Sequence, residues 1–504
     1  MNDRIDTADD SDVRTHLGPG DRILACRTVA SHLPDPPVST TRALLSLARV
    51  SDLAELGSTG PLHAATTADK SMSADPELRK FEAVFGRDAL RVDQFIGGLF
   101  PRLRRVTVDT LARGQGVQHD IASEEEPGKI VHEWRDAYDP IAREITAQSG
   151  WGWPYFGSVD ATPLFVIAAI RLLRAEPDAG DRVAKRRDGS RPTLNACVGD
   201  AVDWLCRRVD YDPDGLLTYQ RINPCGIENQ TWRDSWDSLS HADGTLANFE
   251  RPVAALDVQA AAYDALLTVA RYRSDATANA LRERADRIRT AVLNRFWTEH
   301  PSGGFFAAAL DYTSTGTRRP LETRTSDMGH LLTSELLDGE GLQEYRNAVI
   351  RELFSPGMLC SYGVRSLHAD EIRFWPGGYH TGNSWLWQTM HIADGLERHG
   401  FPALADELRL RCRHVHMTTG LLPEFARGTD DRGILNDRVV DVHQALDQRD
   451  NRLEQPPQEV QAWTVASLHA WEHRERQADK QTGPPHLLEQ RILGQLRVSP
   501  RTLR

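Results

Sequence analysis

Apolar residues recur at helical spacing in segment after segment of this 504-residue chain, and that periodicity limits the folds open to it. Leu281, Ala285, Ile288, Val292 and Phe296 fall on one helical face, as do Val198, Val202, Leu205, Cys206 and Val209, so both segments are read as amphipathic helices. The pattern predicts further helices over 89–113, 160–174, 253–272, 341–353, 385–398, 401–416 and 459–473, whereas alternating strand patterns are few and short. Between them lie loops rich in Gly, Pro, Trp and acids: EEEPGKIVHEWRD, GWGWPYFGSVDATP, DPDG, NQTWRDSWDS, RFWPGGYHTGNSW and LLPEF. A mainly α chain of this kind is expected to pair its helices in a ring, with the loops at one end building a site. No repeat of fixed period is visible, which argues against a solenoid.

Composition narrows the partners. A formal net charge of −12 and a pI near 5.9 argue against nucleic acid, which is held by clustered Lys and Arg. The six cysteines are scattered with no CxxC pair and read as reduced thiols. No apolar run approaches a membrane span or a signal peptide, so a soluble cytoplasmic protein is expected. His132 and Glu133 are adjacent but lack metal-ligand spacing, and neither a Walker loop nor GxGxxG occurs. No metal or cofactor is expected, and the sequence leaves the oligomeric state open. The expected layout is an N-terminal extension or arm over 1–75, a catalytic barrel over 76–478 and a tail over 479–504 with one peripheral helix.

The segment GIENQTWRDSWDS, from Gly226 to Ser238, has the composition of a sugar pocket. Trp232 and Trp236 offer flat faces to a pyranose, Asn229, Gln230 and Arg233 could bond its hydroxyls, and Asp234 or Asp237 could donate a proton. Hydrolysis of a glycoside needs a second carboxylate, and Glu424 in LLPEFARG is the best candidate. If 226–238 is helical, Asp237 shares a face with Asp234. Pro376, Gly377 and Gly378 set a turn that would present Trp375, Tyr379, His380 and Trp385 to a cavity. Trp151, Trp153, Tyr155 and Phe156 read equally as a sugar platform or as core plugs.

The order FGRD (85–88), LARGQG, EEPGKIVHE with Arg135, FGSVDATPLFV, NQTWRDSWDS, SDMGHLL, YGVRSL, YHTGNSW, LPEF and QAW resembles the catalytic region of bacterial amylo-α-1,6-glucosidase, or glycogen-debranching-like, proteins, from about residue 47 to 475. The resemblance implies an (α/α)6 barrel of the six-hairpin glycosidase kind and inverting hydrolysis of α-glucosidic bonds. It also implies Asp234 as general acid, Glu424 as general base and Arg87 with Asp88 around the glucosyl ring. Lys129, His132, Glu133 and Arg135 would form a polar wall that Asp160 and Thr162 extend. LPEFARG lacks the family's LFCG continuation, YHTGNSWLW lacks Pro-His-Asp after its Trp, and the segment before the barrel is short for the family's β-rich domain. Substrate contacts are therefore expected to differ.

Alternatives stay open from the residues alone. Asp234 could cap a helix or pair with Arg233, Glu424 could pair with Arg427, and Arg87 with Asp88 could be an internal pair with Asp88 as helix N-cap. Three functions follow: an inverting α-glucosidase of the α-1,6 type acting on a small glucoside or oligosaccharide; a glucosidase-I-like hydrolase of a glucosyl- or mannosylglycerate, whose acid Arg135, Arg365 and Arg427 could hold; or a catalytically silent sugar-binding protein.

Overall fold

The computed structural model describes residues 37–67, 81–136, 138–301, 303–429, 433–436, 440–443, 451–477 and 486–498. Its helices are α1 (Thr40–Ala48), α2 (Gly86–Ile96), α3 (Pro101–Gly114), α4 (Pro140–Ser149), α5 (Ala161–Ala175), α6 (Leu194–Tyr211), α7 (Leu256–Tyr272), α8 (Thr277–Arg295), α9 (His330–Thr333), α10 (Gln343–Leu353), α11 (Leu386–Arg398), α12 (Pro402–Thr419), α13 (Ala462–Gln477) and α14 (Leu487–Val498). Six of them, α2, α5, α7, α9, α11 and α13, pack each against the next, and α13 closes back on α2. The outer layer lies against this ring, α1 on α13, α3 on α2 and α5, α6 on α5, α8 on α7, and α12 on α11. The chain is mainly α, with an inner ring of six helices enclosed by outer ones, the (α/α) barrel expected from the sequence.

Burial follows this layering. Inner α5 and α7 are buried along most of their length, whereas outer α8 buries only the stripe Ala278, Leu281, Ala285, Ile288, Ala291 and Val292. Proline at the first turn starts α3, α4 and α12, where its missing N–H costs nothing. The periodic run 89–113 is two helices, not one, because Gly97 ends α2 and Pro101 begins α3. Part of the arm expected at 1–75 is folded onto the barrel over 37–67. There Ala43, Leu44 and Leu47 of α1 are buried, and Ala65–Thr66 pairs antiparallel with Val460–Gln461. The tail carries α14, whose buried Glu489 accepts from the N–H groups of Ala403 (2.6 Å) and Leu404 (3.1 Å) at the start of α12.

Short strands gather at the N-terminal ends of the inner helices and fix their loops. Val84–Phe85, just before α2, pairs with Glu133–Trp134, and Ser384–Trp385, just before α11, pairs with Phe425–Ala426. The first pairing sets FGRD beside the loop that carries His132 and Glu133. The second sets Glu424 beside the entry to α11. Gly86 makes the first one possible: its N–H donates to the His132 carbonyl at 2.8 Å, and a Cβ there would lie 2.1 Å from the Val131 carbonyl oxygen. Gly86→Ala is expected to cost about 1–3 kcal/mol, measured as a lower denaturation midpoint, and to weaken any binding that uses Arg87 and Asp88.

Candidate active site

The site grows from three loops at that end of the barrel. The segment 226–238 is irregular rather than helical, so helical spacing does not relate Asp237 to Asp234. Internal bonds lock it instead: the Asn229 side-chain amide donates to the Arg233 carbonyl and, at 2.7 Å, to Ser238 Oγ, while Tyr219 donates to the Asn229 amide oxygen. Arg233 then anchors it to the rest of the molecule. Its guanidinium meets Asp327 at 3.0 Å and donates to the carbonyls of Ser366 (3.1 Å), Ser238 (3.0 Å) and His380 (2.6 Å), with both partners of the ion pair almost fully buried. The indole N–H of Trp232 donates to the other oxygen of Asp327 at 2.8 Å. Asp327, in SDMGHLL, received no role from sequence, and it holds the loop from 94 residues away.

This anchoring changes the expected roles of several aromatics and amides. Trp232 is 1% exposed and meets Trp385, Trp387 and His380 edge to face, so it supports the wall instead of offering a face to sugar. Trp385 is likewise buried, donates to the Tyr379 carbonyl at 2.8 Å and stacks on His380. Arg233 spends its terminal nitrogens on the anchor, and Gln230 donates to Glu124 and to the Ile227 carbonyl. Trp236, by contrast, is 37% exposed, with Arg373 over its ring. Tyr155 is buried and stacks on Trp151.

Carboxylates and one arginine form the centre. Arg87 donates from Nε to Asp160 at 2.6 Å and from Nη1 to Asp234 at 3.3 Å, and Ser158 Oγ donates to the other Asp160 oxygen at 2.7 Å. Arg87 Nη2 is buried without a hydrogen-bond partner. The N-cap of α2 is Phe85, so Asp88 does not cap it. Burial, opposed by Arg87 and reinforced by the charges of Asp234 and Glu424, pushes the Asp88 carboxyl up to about 8.

Asp234 pairs with Arg87, not with Arg233. Its side chain is 31% exposed within a recess where burial still outweighs Arg87 and lifts the carboxyl to about 6. Glu424 accepts from the Tyr379 hydroxyl at 2.6 Å and faces the Gln458 N–H at 3.4 Å. Burial, opposed by these two donors and assisted by the charge of Asp234, lifts it to about 7. Asp88, Asp234 and Glu424 thus share one electrostatic neighbourhood.

The other expected residues fall into two groups. Lys129 is buried against the Glu124 carbonyl (3.3 Å) and Glu126 (3.8 Å), and Glu133 pairs with Arg135. These stiffen the 124–136 loop. His132 lies edge-on between Phe85 and Tyr155, and its Nδ1 is buried without a partner. Burial with the nearby Arg87 holds its imidazole neutral. His380 Nδ1 meets Ser235 Oγ at 2.8 Å, and Asp237 has its carboxyl raised by burial. Trp375 forms the turn before Tyr379, bonding through its backbone to Gly378 and Thr381. Arg365 is committed to carbonyls of Pro356, Gly357, Leu359 and Gly428, and Arg427 to Asn436 at 2.8 Å, so Glu424 and Arg427 are not paired with each other in the bonds described.

The model of the mannosylglycerate hydrolase MGH1-like glycoside hydrolase domain matches residues 130–426, from the 124–136 loop to just past Glu424. The chain belongs to the MGH1-like glycoside hydrolase family. Among proteins of curated function none matches it. A crystal structure of the GH63 mannosylglycerate hydrolase from Thermus thermophilus with Tris superposes at a TM-score of 0.52, 16% identity, over 86% of this chain and 100% of that one. The same enzyme with Tris and D-glycerate gives 0.51 and 13% over the same shares. These likenesses show the fold. The resemblance to debranching proteins thus stands at the level of the six-hairpin glycosidase superfamily, and the family is the MGH1-like one. No helix among the described residues is long and apolar enough to cross a membrane.

Removing one member of a buried ion pair strands the other charge. Asp327→Asn is therefore expected to lower stability by about 3–5 kcal/mol, read as a fall in urea midpoint, because it leaves Arg233 without its counter-ion.

Proposed function

We propose that this protein is an inverting hydrolase of a small α-glycoside of the glycosylglycerate class, with Asp234 as general acid and Glu424 as general base. One observation carries the catalytic part. Two carboxyls from different loops, buried Glu424 and the partly exposed Asp234, sit in electrostatic reach, one beside the Tyr379 hydroxyl and one beside the Arg87 guanidinium. Inversion needs such a pair roughly 6.5–9.5 Å apart with water between. The family's description, which names mannosylglycerate hydrolase, supports the substrate class over an α-1,6-linked glucan.

With values near 6 and 7, the two carboxyls hold one proton between them in that pH range. Below it both are protonated and no base remains; above it neither is, and no acid remains. The productive form is the one-proton state with that proton on Asp234 and Glu424 ionised, a minor fraction because Glu424 holds the proton more tightly. From it Asp234 would give its proton to the leaving oxygen while Glu424 takes one from the attacking water. The orphaned Arg87 Nη2 and the Asp88 carboxyl would bind hydroxyls of the cleaved ring. Arg373, over Trp236 and felt by Asp237, would face the glycerate carboxylate.

Wild type, Asp234→Asn and Glu424→Gln should be assayed on mannosylglycerate, glucosylglycerate and isomaltose, with the released anomer followed by proton NMR. Release of the β-anomer from a glycerate glycoside, with kcat reduced by about 10²–10⁴-fold in each variant, is the expected result. Turnover of isomaltose alone would assign an α-1,6-glucosidase, and sugar binding without turnover of any of the three would assign a silent binder. Arg373→Ala should raise KM for the glycerate glycosides and leave that for an uncharged aryl glycoside unchanged.

The kcat/KM profile is expected to be bell-shaped with its maximum between about 6 and 7. The Tyr379 hydroxyl stabilises ionised Glu424, so its removal raises that carboxyl further. Because Glu424 is the higher of the two, Tyr379→Phe should move the alkaline limb upward by about one pH unit and lower the maximum, and an unmoved alkaline limb would separate Glu424 from the base role.

A further inference from the structure

Beneath the active site, the barrel encloses a second space. A cavity of about 340 Å³ is walled by inner helices α2, α5, α7, α9 and α11, a volume within the range of small-ligand sites. It begins one turn below Arg87 and Asp88 on α2, at Leu90 and Arg91, and shares no lining residue with the site described above. It runs to the opposite end of the barrel, where Glu335 and Arg398 on its rim have side chains 37% and 34% exposed.

Its polar groups are unevenly satisfied. Arg91 is 4% exposed, donates to Gln94 at 2.9 Å and lies over the Trp387 ring. Its Nε has no partner, and among the described residues it forms no ion pair. Arg171, on the next inner helix, forms none either. The carboxylates around them are mostly engaged: Asp93 with Arg104 at 2.9 Å, Glu335 with Arg271, and Asp264 with the Ser334 hydroxyl (2.9 Å) and the Glu335 N–H (3.0 Å). Burial, with the charges of Asp327 and Asp160, raises Asp257 and so favours its neutral form. Arg91 is therefore a buried guanidinium with no ion-pair partner, a costly arrangement unless an anion joins it, and Arg171, exposed on α5 and within reach of the Asp93 charge, lines the same cavity. Asp93 Oδ2 and Asp257 Oδ2 are also buried without donors.

We propose that this cavity is a binding site for a small phosphorylated polyol, with the phosphate between Arg91 and Arg171 and the hydroxyls on Asp93 and Asp257. Guanidinium groups bind a phosphate through paired N–H donors, and Thr333 and His391, bonded to one another at 2.7 Å, line the same space. The orphaned acceptors call for hydroxyl donors that inorganic phosphate supplies poorly.

Isothermal titration of the full-length protein with sn-glycerol 3-phosphate, inorganic phosphate, malonate and glycerol tests this assignment. The expected result is saturable one-to-one binding of glycerol phosphate, tighter than phosphate, with no binding of glycerol, equal in wild type and Asp234→Asn. Arg171→Gln, near the open end, should weaken it roughly tenfold or more. Arg91→Gln should abolish it if that variant folds, and Arg171→Gln decides the matter if it does not. Absence of saturable binding at millimolar concentrations, affinity unaltered in Arg171→Gln, loss of binding in Asp234→Asn, or preference for malonate would each overturn the proposal.

Discussion

The ion pair between Arg233 and Asp327 organises the active end of this barrel. One guanidinium gathers Asp327, Ser366, Ser238 and His380 around itself, and so joins four stretches of chain that are remote in sequence. Without it, the 226–238 loop would lose the tie that joins it to Asp327, Ser366 and His380 at once, and would keep its internal bonds and scattered single contacts. Charge buried this deeply is costly to desolvate, and the cost is offset by donors that meet carbonyls and a carboxylate in nearly every direction. The result is a stiff platform on which Asp234 stands beside Arg87, and in which Trp232 is wedged as a support.

A second tier of bonds sets protonation. Arg87 lies between Asp160 and Asp234, so Ser158 and Asp160 act on Asp234 by fixing the cation beside it. Tyr379 does the corresponding work for Glu424, and its own carbonyl is pinned by Trp385. Asp234 and Glu424 thus rest on separate supports, one made of charge and the other of aromatic packing. The strand pair of Ser384–Trp385 with Phe425–Ala426 carries the second support to the loop of Glu424.

The helical ring was legible in the sequence because helix faces repeat within a dozen residues: Leu281 to Phe296 announces α8 without reference to anything else. The division of 89–113 was harder, since apolar spacing runs on past Gly97 and only the Gly-Gly and Pro101 mark the break. Helix α1 was hidden by the Ser, Thr and Pro around it, although Leu44 and Leu47 have the right spacing. At the site, composition identified the loops that converge but could not say which face of each side chain is covered. Trp232 reads as a sugar platform until its indole N–H is seen on Asp327, 95 residues downstream. Gln230 and Arg233 were misread for the same reason. Their partners are distant in sequence, and no local pattern encodes a contact of that kind.

The inner helices all begin at the active end, and each begins with unpaired backbone N–H groups and the positive pole of its dipole. Asp88 lies in the first turn of α2, Asp160 stands at the N-cap position of α5 and Asp257 lies in the first turn of α7. The converging dipoles make a positive field in which several acids can be crowded without an equal number of cations. Departure of a glycosidic oxygen leaves positive charge on the sugar ring, and in such a field that charge would be repelled. The surplus of carboxylates reverses the sign locally, so the helix ends let the acids assemble and the acids make the same place hospitable to a cation.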